Sequence, residues 1–238
     1  YRFGQLALKL VDRGEGREWL TQVYVGVYSA INHWVMHVEK VIEPLQYAYS
    51  VGMEVGNVDY TGYCAASISI VSFLVGKPLV AVEHDMSFFI KQMNTFALQA
   101  GRALLAPYHQ SVLNLMGRSE NSMLLNGEAM NEKEHLKFVK KQRNIFAENA
   151  LNMNSLWLAY FFGDYPRAGR FVEITNDLDL IKGSQPADFA NVFYSGLASF
   201  ALAKLNNNSK KWKALGMRSI RKIRRWSKIS SANSSHKL

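Results

Sequence analysis

The sequence predicts an all-α chain, a right-handed solenoid of antiparallel helix hairpins, and three observations carry that prediction. Apolar residues recur at spacings of three and four almost throughout, the pattern of a helix that buries one face. The interruptions are short and centred on glycine rather than long linkers. Only five prolines occur (Pro44, Pro78, Pro107, Pro166 and Pro186), so helices rich in Leu, Ala, Met, Lys and Glu can run uninterrupted over most of the chain. No stretch alternates apolar and polar residues with β-branched enrichment, as a half-buried strand requires.

The spacing places helices over 1–12, 17–34, 38–55, 58–75, 78–100, 102–116, 131–148, 150–162, 165–181, 187–205 and 210–229. Ten helices result instead of eleven if the chain passes through Gly101 without a break. Connections of two to five residues make consecutive helices antiparallel, because a short loop cannot carry the chain back to the far end of the helix it leaves. Within 58–75 the run Tyr63–Val75 is uncharged but only 13 residues long, whereas about 20 are needed to cross a bilayer, so it reads as a buried helix.

One turn is used twice. At Gly76-Lys77-Pro78-Leu79-Val80-Ala81 and at Gly163-Asp164-Tyr165-Pro166-Arg167-Ala168, a glycine closes one helix and an alanine follows five residues later. Glycine adopts positive φ cheaply, and a proline in a first helical turn gives up an N–H that has no partner there. Ala81 and Ala168 are the small residues expected where the two helices of a hairpin come closest. The pattern is TPR-like, without a strict repeat length.

The stretch 117–131 (GRSENSMLLNGEAMN) is the least helical and reads as a long surface loop, or as a loop that contacts a partner. Asn131 followed by Glu134 has the form of an N-cap with its N3 partner and starts a helix at Glu132. A second polar break, Asn206–Ser209, divides the chain into a repeat array over 1–205 and a basic helix with a truncated tail over 206–238, the start of a further repeat.

The formal net charge is +9, yet 11 Lys and Arg and no Asp or Glu lie between Phe189 and Leu238, leaving 17 basic against 19 acidic residues before them. Basicity belongs to the tail alone. In a helix over 210–228, Trp212, Leu215, Ile220, Ile223 and Trp226 share one side and Arg218, Arg221, Lys222, Arg224 and Arg225 take the others. Burial of the apolar stripe against the preceding helices is the favoured reading; binding of nucleic acid or anionic lipid is the alternative.

Chemistry is sparse. A phosphate-binding Gly-x-x-x-x-Gly-Lys-Ser/Thr run is missing, as are the His-Arg-Asp and Asp-Phe-Gly elements of a kinase and the Gly-x-Ser-x-Gly elbow of a hydrolase. No catalytic, cofactor-binding or metal-binding residue is assigned, no cofactor is expected, and the chain is not expected to be an enzyme. His33 and His37 stand four apart, but Trp34 replaces the general-base glutamate and the pair straddles a helix-to-helix turn, so packing is the expectation. Glu128, Glu132, Glu134 and His135 fall at a helix start, where the macrodipole favours negative charge. Cys64 is the single cysteine, which excludes an internal disulfide and points to a reducing, cytoplasmic setting. Tyr24, Tyr28, Trp34, Tyr47, Tyr60, Tyr63, Trp157, Tyr160, Phe161 and Phe162 are expected mainly in packing, with a remainder that could line a concave peptide-binding face.

Seven runs resemble one family: FGQLALKL, NHWVMHVEKVIEPLQYAYSVGMEVGNVDYTGYCA, FLVGKPLVAVE, LAPYHQSVLNLMG, LLNGEAMNE, LWLAYFFGDYPRA and, at the end, RRWSKISSANSSHKL. They are similar to the helical region of multidomain serine/threonine and histidine kinases, where a protein kinase and an AAA-type ATPase module precede it and a GAF sensor and histidine kinase follow. The resemblance implies a non-catalytic scaffold whose partners are those ATPase, GAF and kinase domains, inside or outside its own chain. The start at Tyr1, without an initiator methionine or leader pattern, and the end at Leu238 fit an internal fragment of such a protein. The tail is more basic than the resemblance implies.

Overall fold

A computed structural model describes residues 1–14, 16–177 and 185–238, with twelve α-helices and no strand among them. They are α1 (Arg2–Asp12), α2 (Leu20–Tyr24), α3 (Ile42–Val55), α4 (Val58–Leu74), α5 (Leu79–Thr95), α6 (Gln99–Leu115), α7 (Glu132–Lys141), α8 (Ile145–Phe161), α9 (Tyr165–Asp177), α10 (Ala187–Leu205), α11 (Lys210–Ser227) and α12 (Ser231–Ser234). The all-α prediction holds. Helices pack mainly against their neighbours in sequence: α3 on α4, α4 on α5, α7 on α8, α8 on α9, α9 on α10 and α10 on α11.

The chain divides into two compact units, one from Tyr1 to Leu105 and one that begins at Ala106 and includes Ala187–Leu238. In the first unit α4 is central. Cys64, Ala65, Ala66, Ile68, Ile70 and Val71 are all buried and lie on every side of the helix, as the uncharged run that begins at Tyr63 demands. Leu8, Leu20, Tyr24, Val41, Leu45 and Val51 complete its core. Two close approaches seat α4. A Cβ on Gly52 would lie 2.1 Å from Thr61 Oγ1, and a Cβ on Gly101 would lie 2.8 Å from the backbone of Gly62.

The second unit is built the same way around α8, whose buried residues run without a gap from Asn149 to Ala159. Ala106, Leu125, Met130, Leu151 and Leu158 form one core cluster there.

Several boundaries differ from the sequence reading. The span 17–34 is not one helix: a 3₁₀ turn (Arg17–Trp19) leads into α2, a π turn (Val25–Ser29) follows, and a second 3₁₀ turn covers Asn32–Trp34. Val23, Val25, Gly26 and Val27 are weak helix formers, so burial of Tyr24 and Val27 sets the backbone instead of local propensity. The span 38–55 opens as a 3₁₀ turn, and α3 begins at Ile42, which leaves Pro44 in its first turn.

Gly101 breaks nothing. The chain turns at Ala97, whose φ is +54°, and Gly101 sits inside α6 against Gly62. The helices expected over 131–148 and 150–162 meet at Arg143, φ +52°, and Asn144 Oδ1 accepts from Ala147 N at 3.0 Å to start α8. Residues 178–181 of the span 165–181 lie outside the described residues.

Gly76 and Gly163 both take positive φ, +78° and +80°, so the repeated turn is real. The alanines that follow are not equivalent. Ala168 is fully buried, whereas Ala81 is exposed, with Val82 and Met86 facing inward on α5. The close-approach role assigned to Ala81 is therefore corrected: α5 is rotated so that the residue after the alanine meets the core. Ala168→Trp should cost at least about 1–3 kcal/mol through overpacking, while Ala81→Trp should stay within about 0.5 kcal/mol of wild type. Urea denaturation of both variants checks the pair; equal effects would contradict the assigned helix faces.

Candidate functional site

The stretch 117–131 is the most elaborately built part of the second unit. Gln110 and Asn114 stand one turn apart on α6, both buried. Gln110 Nε2 donates to Asn114 Oδ1 at 2.8 Å, while Gln110 Oε1 accepts from the backbone N–H groups of Ala129 at 2.9 Å and Met130 at 3.4 Å. Asn114 Nδ2 donates to the carbonyl oxygens of Ser122 at 3.1 Å and Leu124 at 2.7 Å. Gly127 lies against the Gln110 amide, where a Cβ would come within 2.7 Å of Nε2. Leu125 and Met130 go into the core.

The end of the loop is tied to the helix that follows. Asn131 Oδ1 accepts from Lys133 N and Glu134 N, both at 3.1 Å, so the expected cap at the start of α7 is present. Glu132 N donates to Asn126 Oδ1 at 2.8 Å, and Glu132 Oε2 accepts from Leu125 N at 3.3 Å. The same carboxylate faces the Arg167 guanidinium at 3.3 Å, with side-chain exposures of only 25% and 16%. Glu128 pairs with Arg118 at 2.9 Å on the exposed rim. The acidic cluster seen in sequence is thus one cap region and two ion pairs, not a single constellation. The tether is not legible in the sequence, where its trace is a glutamine and an asparagine four apart on α6.

The aromatic residues separate into packing and surface. Tyr108, Trp157 and Tyr194 run in contact, at 6.0 and 6.1 Å between ring centroids, and Tyr194 meets Phe161 edge-on at 5.0 Å. Burial, with the Asp188 carboxylate nearby, pushes the Tyr108 hydroxyl well above the usual phenol range. Tyr24 and Trp157 are buried; Tyr28, Trp34, Tyr63 and Tyr160 are half-buried; Tyr47, Tyr60, Phe161 and Phe162 are exposed. Tyr24 donates to Asp12 Oδ1 at 2.8 Å, and burial followed by that bond raises its pKa.

His33 is fully buried beside Trp34, whereas His37 is at the surface, its Nδ1 accepting from Glu39 N at 3.3 Å. The two imidazoles do not share a face. Among the described residues no three His, Cys, Asp or Glu side chains form a metal-holding group, and no helix is long and apolar enough to cross a membrane. Burial pushes the Cys64 thiol up to about 12, so it stays protonated and is no nucleophile.

The basic helix α11 buries its apolar stripe in part, with Ile223 and Trp226 inside and Trp212, Leu215 and Ile220 half-buried. Trp226 packs on Phe189 at 4.8 Å between centroids, Ile223 is buried, and Gly216 admits the Phe200 ring so closely that a Cβ would lie 2.7 Å from it. The segment after it folds back: Asn233 and Ser234 are buried, and the Lys237 ammonium stands 5.8 Å from the centre of the Phe193 ring, where burial lowers its pKa.

Compared with protein-family models, curated proteins and solved structures, the chain matches none.

Asn114→Ala removes both donors that hold the loop and leaves two carbonyls without them, so it should cost about 1–3 kcal/mol. Hydrogen exchange should accelerate in the segment 122–130 first; protection lost evenly over the whole second unit would contradict a local tether. For Cys64, the folded protein keeps a proton that the unfolded chain releases near the ordinary value of 9.0. Stability from this group is therefore intact below pH about 9 and is lost as pH rises toward about 12. A thiol reagent at pH 8 should label Cys64 only after denaturant is added.

Proposed function

We propose that this chain is a non-catalytic helical scaffold, its hairpins stacking into a TPR-like right-handed solenoid, and that it belongs to a multidomain signal-transduction kinase in which it couples an ATPase and sensor part to a kinase. Its partners on this reading are the neighbouring ATPase, GAF and kinase domains of a cytoplasmic protein.

One observation carries the reading: the runs that resemble the helical region of such kinases fall on the joints of this fold. NHWVMHVEKVIEPLQYAYSVGMEVGNVDYTGYCA spans the turn from α3 to α4 and contains both Gly52 and Thr61, which touch across it. FLVGKPLVAVE holds the Gly76 turn, LWLAYFFGDYPRA holds the Gly163 turn, and LLNGEAMNE is the segment tethered by Gln110 and Asn114. Joints set how one hairpin sits on the next, so a scaffold whose task is geometry constrains its sequence there. The surfaces left over support the same reading, since exposed Phe161 and Phe162 beside the Gly163 turn offer apolar area to a partner.

Two measurements test this. The full-length transcript should encode, in one frame, an ATPase module before this segment and a GAF or histidine-kinase module after it. A transcript with neither would sink the proposal. Calorimetry should find no micromolar ATP affinity in the isolated chain, because the phosphate-cradling loop and lysine that such binding uses are not in its sequence.

A further inference from the structure

Six of the nine cations from Lys210 to Lys228 form one ridge on the exposed side of α11. At about 100° per residue, Lys210, Lys213, Arg221, Arg224, Arg225 and Lys228 fall within an arc of about 120°. All six are exposed. The opposite arc holds Leu215, Gly216, Ile223 and Trp226, which meet α10 or lie buried. The helix has 18 residues, so the basic ridge is about 27 Å long at about 1.5 Å per residue. No acidic residue occurs from Phe189 to Leu238, and Glu173 of α9 takes Lys211 near one end.

We propose that this ridge is a docking surface for the phosphate backbone of a nucleic-acid duplex. Three features of the ridge select that partner among polyanions. An amphipathic helix binds a membrane by burying its apolar face in the lipid, but here Ile223 and Trp226 are already buried within the protein. Single strands are held by stacking bases on exposed aromatic rings, yet Trp212 and Trp226 both lie away from the ridge, on the side of the helix that packs. An acidic protein partner would need an apolar centre inside the charged rim, and the ridge offers only Ala214 and Met217. A duplex backbone needs nothing beyond cations in a row, because its affinity comes from counterion release at the phosphates. Half of α11 is occupied by packing, so the helix lies across the backbone and does not enter a groove to read bases.

The test is fluorescence anisotropy of a labelled DNA duplex of about 20 base pairs with the whole chain, between about 50 and 200 mM salt. Contacts to six phosphates give a slope of log K against log salt of about −5, a loss of about 10³-fold across that range. The triple variant Arg221→Gln/Arg224→Gln/Arg225→Gln should make the slope shallower by about 3 and weaken binding to unrelated duplexes alike. Lysine at the same three positions should restore it. An equal loss of charge elsewhere, Arg13→Gln/Lys40→Gln/Lys91→Gln at exposed positions, should leave the slope unchanged. The proposal is overturned by absence of duplex binding at about 50 mM salt, by equal losses in the two glutamine triples, or by preference for single strands, phosphatidylserine vesicles or polyglutamate at matched charge. Far-UV circular dichroism of each variant confirms that the comparison is between folded chains.

Discussion

Each compact unit depends on one helix that has no polar side to turn toward water. In the first unit it is α4, and in the second it is α8. Such a helix must be surrounded, and short connections supply the surrounding helices from its neighbours in sequence. Burying one Leu, Ile or Val side chain contributes about 1.5–3 kcal/mol, so the six buried Leu, Ile and Val side chains of these two helices outweigh any preference of a single turn. That is why the Val23–Val27 stretch gives up regular α geometry: Tyr24 and Val27 must reach the core, and the backbone accommodates them through a π turn.

The two central helices are not equally apolar. α4 buries Ile, Val and Ala together with the hydroxyls of Thr61, Ser69 and Ser72, whereas α8 buries the amides of Asn149, Asn152 and Asn154, and Ser155, along with its leucines. A buried amide costs about 1–3 kcal/mol unless it is bonded, so polar groups inside a core are spent on fixing one arrangement. Gln110 and Asn114 do this most completely. Four loop groups, two N–H and two C=O, find their partners on these two side chains, and a stretch that composition marks as irregular becomes a fixed strap. Glu132 then links that strap to Arg167 on α9, so the loop contributes to helix placement as well as connection.

The pattern of periods made the helices legible, and caps made some starts legible, Asn131 above all. The misplaced breaks have a common cause. Glycine serves two purposes, positive φ and close approach, and one sequence does not distinguish them: Gly76 and Gly163 serve the first, Gly101 the second. The true turns at Ala97 and Arg143 use non-glycine residues at positive φ, held there by the helices on either side, and carry no local signal. Ala81 and Ala168 follow the same turn yet differ in burial, because which face of a helix is covered depends on its further neighbours and not on the turn that starts it. The loop tether was illegible for a similar reason: hydrogen bonds between residues 8 to 20 apart leave no periodic trace.

The last long helix shows what holds when local preference opposes the fold. Arg221 with Arg224 and Arg225, and Arg224 with Lys228, are like-charged neighbours three or four residues apart, each pair costing about 0.2–0.5 kcal/mol. The macrodipole offsets part of this, since Arg224 and Arg225 lie in the last turn, but Lys210, Lys211 and Lys213 crowd the first turn, where positive charge is unfavourable. Within α11 the Lys222 ammonium over the Trp226 ring, at 5.2 Å, offsets a further part. The helix's stability is drawn from the far side, from Ile223 and Trp226 in the core and from glycines cut to fit their neighbours: Gly216 under the Phe200 ring and Gly196 of α10 beneath Ser219. The basic ridge is therefore carried by the packing of α10 and α11, and a charge arrangement that burdens its own helix persists because the opposite face is so closely seated.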